Sequence, residues 1–380
     1  MASSCWQRQR HLVRVVVVAA AMMIMDMATT AAALEDDPVG VGSVGFDQGY
    51  SPLFGEANME RSADGRGVRL TLNRYSGSGF ISKHYYHHGF FSADVTLPMD
   101  HTAGVVVAFY LSNGDVFDKT HDELDFEFLG NRRRHEWRLQ TNVYGNGSTD
   151  RGREERYLMP FDPTAAAHRF SILWSSRAVI FYVDGVAIRE VPRSAAMAGD
   201  YPSKPMAVYA TIWDGSTWAT DNGRYKVNYR RGPFMAEFSG LVIRGCPAAD
   251  TAVGNGQGQV GGDRVAMLRL KLGAADCDRD AELMTADYAI MTPRKRADMR
   301  RWRRRQMLYT VCYDTNRYPA SFPECDVDAA ERQMFWEWGE SKVVRPRVRG
   351  RSGGKRRQQV AAGTTTTTLA PRLVSLQQAD

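Results

Sequence analysis

The chain has 380 residues, 43% apolar and 24% charged, with a formal net charge of +6. The length suits one large domain or two small ones, and the composition is that of a globular protein. After the N-terminus no stretch is apolar for long enough to span a bilayer, which excludes a protein built on membrane-crossing helices.

At the N-terminus, Arg8, Arg10 and Arg14 form a positive region, Val15 to Met25 is an unbroken apolar run, and Ala31-Ala32-Ala33 offers a small-residue cleavage site. This reads as a signal peptide over 1–33; the run is short for a membrane anchor, and Asp26 interrupts it. From about Val41 to Gly245 the chain reads as strands and turns, rich in glycine and without long helical periodicity. Strands are expected over 68–72, 104–110, 170–174, 179–183 and 186–191, and Asp184-Gly185 between the last two is a hairpin signal. The expected fold is all-β, an antiparallel sandwich of two sheets.

Residues 121–130, HDELDFEFLG, place His121, Glu123, Asp125 and Glu127 at every second position, with Leu124, Phe126 and Phe128 between the carboxylates. On a helix, Glu123 and Glu127 would share a face and Asp125 would point away. The apolar spacing is two, so the segment reads as a strand with its carboxylates on one face and its apolar residues in the core. The backbones of residues 123 and 127 are then about 13 Å apart, at about 3.3 Å per residue. Side chains leaning together can close that to the ~5–5.5 Å of a retaining glycosidase. Like charges this close raise at least one pKa, so one Glu can serve as acid while the other is an ionised nucleophile oriented by Asp125. A polar outer face is the plain alternative, but neighbouring like charges are a cost there. A Ca²⁺ site is another, but its loops have irregular backbone.

Tyr110, Trp213 and Trp218 are candidates for stacking on sugars; the two tryptophans share one stretch, TIWDGSTWATDNGRY. Gln140 and Asn142 alternate with Thr141 in LQTNVYGNGS and can donate to sugar hydroxyls. Asn146-Gly147-Ser148 is the one N-glycosylation sequon.

Loss of a signal peptide removes Cys5 and leaves Cys246, Cys277, Cys312 and Cys325. An even number in a secreted chain suggests two disulfides, with three pairings open, and the spacings lack the close pairs of a zinc site. Residues 247–275 include AVGNGQGQVGG and read as a loop or linker. Over 293–309, a leading Pro293 and the spacing of Met299, Trp302, Gln306 and Tyr309 predict an amphipathic basic helix. Residues 294–305 hold eight Lys/Arg against one Asp, and residues 342–357 hold eight more with no acid. In a secreted protein an acidic polysaccharide or anionic surface suits them better than nucleic acid, and a solvated face without a partner is the plain alternative. Residues 350–380 have a disordered composition. Without a P-loop or dinucleotide fingerprint, no nucleotide or redox cofactor is expected, and no metal.

HDELDFEFLGN resembles the active-site motif of glycoside hydrolase family 16, in the form found in plant xyloglucan endotransglucosylase/hydrolases. AGVVVAFYLSNGD, QTNVYGNGS, RYLMPFDPT, FSILWSSRAVIFYVDGVAIREV, TIWDGSTWAT and NRYPASFPEC extend the likeness over roughly residues 41–326. The resemblance implies a concanavalin-like β-jelly roll over 41–245, an open substrate cleft, a disulfide-linked extension over 246–340, and a basic tail over 341–380. It implies Glu123 as nucleophile, Asp125 as its helper and Glu127 as acid/base. It carries binding roles to Gln140, Thr141, Asn142, Arg153, Glu154, Trp218 and Arg317, with Tyr110 and Trp213 beside them. It pairs Cys246 with Cys277 and Cys312 with Cys325. There are departures. Asn131-Arg132-Arg133 stands where many members have a sequon, Pro160 replaces a Trp, Asn222 replaces a Gly, and the insert between Cys246 and Cys277 is long.

The implied activity is retaining cleavage of xyloglucan and transfer to a second xyloglucan chain or to water, by a monomer of the cell wall and apoplast. Acidic pectin is the expected partner of the tail. The alternatives are a hydrolase on xyloglucan or a related glucan, and a non-catalytic wall-binding protein.

Overall fold

Fifteen strands run through the described residues (43–133, 136–252, 285–325 and 327–338) of a computed structural model. They are β1 (Tyr50–Phe54), β2 (Met59–Arg61), β3 (Val68–Leu72), β4 (Ser78–Ser82), β5 (His84–Thr96), β6 (Val105–Ser112), β7 (Glu123–Leu129) and β8 (Arg138–Tyr144). Then come β9 (Glu155–Leu158), β10 (His168–Trp174), β11 (Ala178–Val183), β12 (Val186–Pro192), β13 (Ala207–Asp214), β14 (Phe234–Ala252) and β15 (Met307–Thr310). Among the described residues the α-helices are a single turn, α1 (Phe46–Gly49), and two in the C-terminal region, α2 (Pro293–Gln306) and α3 (Ala329–Trp338).

The strands form an eight-stranded sheet, β1-β4-β13-β6-β7-β8-β9-β15, and a seven-stranded sheet, β12-β11-β10-β5-β14-β3-β2. Every pairing is antiparallel, so the fold is the expected jelly-roll sandwich. Alternation does the sorting. Leu124, Phe126 and Phe128 are each fully buried. Phe126 and Phe128 meet Phe170 of the opposite sheet edge-on, with ring centroids 5.5 and 4.7 Å apart. Burying a side chain of this size contributes about 1.5–3 kcal/mol. The hairpin β11–β12 turns on Asp184 and Gly185, both at positive φ (47° and 74°), as a two-residue primed turn requires.

Two expectations need correction. The helix predicted over 293–309 ends at Gln306, and Tyr309 lies in β15. Met307 to Thr310 are all buried and pair with β9, so the continuous apolar run is worth more against a sheet edge than as another helical turn. Residues 247–252, read as the start of a linker, are instead part of β14, which runs to Ala252 by keeping its pairing with β5 across register shifts. That strand crosses the expected boundary at 245/246. Cys312 and Cys325 are bonded, 13 residues apart in sequence. Cys277 and with it the expected Cys246–Cys277 pair, the expected signal peptide over 1–33, and the 341–380 tail lie outside the described residues.

Two of the departures have local accounts. Pro160 is exposed, and the chain beside it is held by Phe161 stacked on His168 at 3.5 Å. Asn222 has φ 53°, a left-handed conformation that suits Gly and that Asn tolerates better than most residues.

Candidate active site

Strand β7 lies between β6 and β8, and the register of the three strands composes the site. Across the face turned away from the seven-stranded sheet, Glu123 stands between Ser112 and Tyr144. Asp125 stands between Tyr110 and Asn142, and Tyr110 is in turn opposite Tyr209. Glu127 stands between Ala108 and Gln140, and Gln140 is opposite Arg156. The strand period of two therefore brings all three carboxylates onto one face, as their spacing predicted.

Each carboxylate has a different environment. Burial pushes the Glu123 carboxyl up, while His121 and a hydrogen bond from the Ser112 hydroxyl pull it back toward ionisation. Asp125 is only 6% exposed; burial, then repulsion from Glu123 and Glu127, pushes it well above the ordinary carboxylate range. Glu127 is pushed up to about 7, first by burial. The Gln140 amide counters this by donating to Glu127 Oε2 at 2.5 Å, and Arg156 counters it by its charge, whereas Glu154 and Glu123 add to it. The set can thus hold a proton at Asp125 and Glu127 while Glu123, with the Ser112 hydroxyl donating to it and His121 close by, is the carboxyl best suited to ionise.

A relay runs from Glu127 into the C-terminal region. Arg156 Nε donates to Gln140 Oε1 at 2.6 Å, and Arg156 Nη2 lies 3.5 Å from Glu154. Arg317 grips Glu154 through two hydrogen bonds of 3.0 and 2.9 Å. Glu154 and Arg317, both expected as binding residues, are thereby brought together and connected to Glu127.

The other expected residues divide. Tyr110 lies stacked on Tyr209, centroids 4.9 Å apart, beside Asp125. Asn142 shares the Asp125 row, buried, with its Oδ1 accepting from Val143 N. Trp213 and Trp218 approach to 6.0 Å at the Glu127 end, and the buried Trp218 indole N–H has no hydrogen-bond partner among the described residues. Thr141 is a correction: it is opposite Phe126, fully buried, and its Oγ1 accepts from Arg189 at 2.9 Å. Its side chain supports the core, because neighbours of Gln140 and Asn142 on a strand must face the other way. Arg153 is 1% exposed and held by Asp200 at 3.0 Å, by Glu324, and by the Phe322 ring. It helps line a cavity of about 250 Å³ with Asp200, Arg317, Tyr318 and Phe322, away from the carboxylate rows. Asn146 is exposed, at φ 52° just beyond β8.

Ser112, Arg156 and Asp122 were not predicted. Asp122 is fully buried and accepts from the backbone N–H of Asn146, Ser203 and Lys204 at 2.7, 2.7 and 2.8 Å, and from Lys204 Nζ at 2.7 Å. It fastens two loops to the start of β7. The HDE run held a signal for it, in a fourth acid out of phase with the alternation; Ser112 and Arg156 needed the register.

The fold and the carboxylate face define an enzyme acting on glycosidic bonds. A sequence model described as glycosyl hydrolases family 16 matches residues 46–231, and one described as the xyloglucan endo-transglycosylase C-terminus matches residues 279–325. The chain is 50% identical over 315 residues to an Arabidopsis thaliana protein named probable xyloglucan endotransglucosylase/hydrolase protein 30, covering 83% of this chain and 86% of that one. It is 51% identical over 299 residues to the Arabidopsis protein 29 of the same name, covering 78% and 81%. A solved Bacillus licheniformis β-glucanase is 20% identical, with a TM-score of 0.43 over 54% of this chain and 96% of that one. The chain belongs to the xyloglucan endotransglucosylase/hydrolases of glycoside hydrolase family 16.

Proposed function

We propose that the protein is a xyloglucan endotransglucosylase working by double displacement. Glu123 attacks the anomeric carbon of a backbone glucose as Glu127 protonates the departing glycosidic oxygen, leaving a covalent glycosyl-enzyme. Asp125 orients Glu123 and hydrogen-bonds it. Glu127, now ionised, then takes a proton from the hydroxyl of a second xyloglucan chain, which displaces Glu123 and restores the β-linkage. Water at the same step gives hydrolysis. Gln140, Asn142, Glu154, Arg317, Tyr110, Trp213 and Trp218 hold donor and acceptor sugars. Arg153 and Thr141 act from behind, as supports.

The observation that carries this reading is the register that sets Glu123, Asp125 and Glu127 on one strand face, with the Gln140 amide donating to Glu127 at 2.5 Å and burial raising that carboxyl to about 7. A binding module has no use for a paired acid and nucleophile. The relay from Glu127 to Arg317 favours transfer over hydrolysis, since it ties the acid/base to a C-terminal residue able to grip an acceptor. The reading includes secretion to the wall as a monomer, a glycan on Asn146, a catalytic domain followed by an extension that begins beyond β14 rather than at 245/246, and contact of the 341–380 tail with acidic pectin.

The test supplies xyloglucan as donor and a labelled xyloglucan oligosaccharide as acceptor, to wild type and to Glu123→Ala. Wild type should place label in polymer with few new reducing ends, and Glu123→Ala should do neither. New reducing ends without label would make it a hydrolase. Equal inactivity of two folded proteins would sink catalysis on this polymer.

A further inference from the structure

Helix α2 carries eight Lys/Arg in fourteen residues, and its two sides use them differently. At about 3.6 residues per turn, Lys295, Arg296, Met299, Trp302, Arg303 and Gln306 share one side. The charges there are paired. Arg296 grips Glu190 of β12 at 2.8 and 3.0 Å. Lys295 reaches Asp287 at 2.8 Å, and Arg303 reaches Glu155 and Glu331 at 2.7 Å each. Thr292 caps the helix by accepting from Lys295 N, and Pro293 occupies its first turn. The helix is therefore fixed along one side to β9, β12 and β15.

The opposite side is an arginine stripe. Arg294, Arg300, Arg301, Arg304 and Arg305 are all exposed and fall within a sector about 140° wide. Among the described residues only Arg301 has a carboxylate partner, Asp298 of the same helix at 3.1 Å. From residue 294 to 305 the stripe runs about 16 Å at 1.5 Å per residue. Only the small side chains of Pro293 and Ala297 share its sector, so it offers no bulky apolar or aromatic group to insert into lipid or to stack on bases.

We propose that this stripe is a docking surface for an acidic polysaccharide, a linear polymer bearing a carboxylate on successive sugars. Guanidinium groups pair with carboxylates through forked hydrogen bonds, and a row of them on an immobilised helix meets a row of carboxylates on an extended polymer with little ordering left to do. On the function proposed above, the chain works among wall polysaccharides, so an acidic one is within its reach. None of the five arginines touches Glu123, Asp125, Glu127 or the relay, so docking here stands apart from the proposed reaction.

The experiment measures retention of the full-length protein on immobilised, de-esterified polygalacturonate across a salt series, with fully methyl-esterified polymer as control. One variant carries Arg294→Gln, Arg301→Gln, Arg304→Gln and Arg305→Gln, a second carries Lys at the same positions, and a third replaces Arg345, Arg347, Arg349 and Arg351 by Gln. Wild type should be held in low salt, released as salt rises, and pass the esterified polymer freely. The Gln variant should bind about tenfold or more weakly, as loss of four surface charge contacts of ordinary strength implies. The Lys variant should bind between wild type and the Gln variant, since it keeps the charge and loses the fork, and all variants should keep wild-type melting temperature and transfer activity. Undiminished retention of the Gln variant would overturn the proposal, as would loss confined to the 345–351 variant. Equal binding to esterified polymer, or tighter binding to anionic vesicles or duplex DNA, would overturn it too.

Discussion

Glu127 and its hydrogen-bond partner set the pH behaviour. A general acid must be protonated and a nucleophile ionised, so kcat/KM for transfer should be bell-shaped. Its alkaline limb should fall near pH 7 as Glu127 loses its proton, and its acid limb should fall as Glu123 gains one. Because the carboxyls interact, both limbs belong to the set rather than to single residues. Gln140 donates to Glu127 and favours its ionised form, so Gln140→Leu should move the alkaline limb upward by about one pH unit, the worth of one hydrogen bond to a charged group. A pH–rate profile of the variant checks this, and an unmoved or lowered alkaline limb would refute it. The three acids were legible in the sequence because strand period sorts neighbours on one chain. Gln140 was legible only as a polar residue on a strand. Its bond to Glu127 depends on which residue of β8 stands opposite which of β7, and that register is written in no local pattern.

Between elements, the strongest connection is the buried cluster around Glu155 of β9. Arg303 of α2 donates to both its oxygens at 2.7 and 3.0 Å, Thr310 of β15 donates at 2.9 Å, and Arg189 of β12 lies 3.5 Å away. Burial alone would raise the Glu155 carboxyl, but Arg303 and Arg189 outweigh it and bring it down to about 2. A carboxyl lowered on folding adds stability above its unfolded pKa, near 4.5, and loses it as pH falls toward 2. Glu155→Gln leaves Arg303 and Arg189 short of a buried partner and should cost about 3 kcal/mol at pH 6, by urea denaturation. The cost should shrink progressively below pH 4.5. No change at pH 6 would show the cluster to be dispensable. In the sequence, Glu155 was one acid in REER and Arg303 one base in a run. Helical spacing identified the α2 side bearing Trp302 and Arg303 as the packed one, yet could not stop the helix at Gln306, because the signal that ends it is the free edge of β9, about 150 residues upstream.

On the scale of the whole molecule, the Cys312–Cys325 bond closes a short loop containing Arg317. Replacing both cysteines by Ala should lower stability by about 2–4 kcal/mol, from loop entropy released in the unfolded chain. It should weaken transfer more than hydrolysis, since Arg317 loses its frame; equal loss of both would argue against an acceptor role for that loop. The jelly roll itself was legible from alternating strands, a hairpin turn and a family motif covering most of the chain. How the C-terminal region attaches was not, because a four-residue strand of mixed apolar residues looks like the end of a helix until its partner is known. That attachment has a consequence for biosynthesis. Strand β15 is the last strand among the described residues, and it borders the sheet that carries the carboxylates. On the ribosome, Glu123, Asp125 and Glu127 emerge early, while the edge of β9 waits uncovered for its neighbour and Glu154 waits for Arg317. A chain released prematurely carries every proposed reacting group and lacks the border of their sheet, so completeness of translation becomes a condition of the protein's competence.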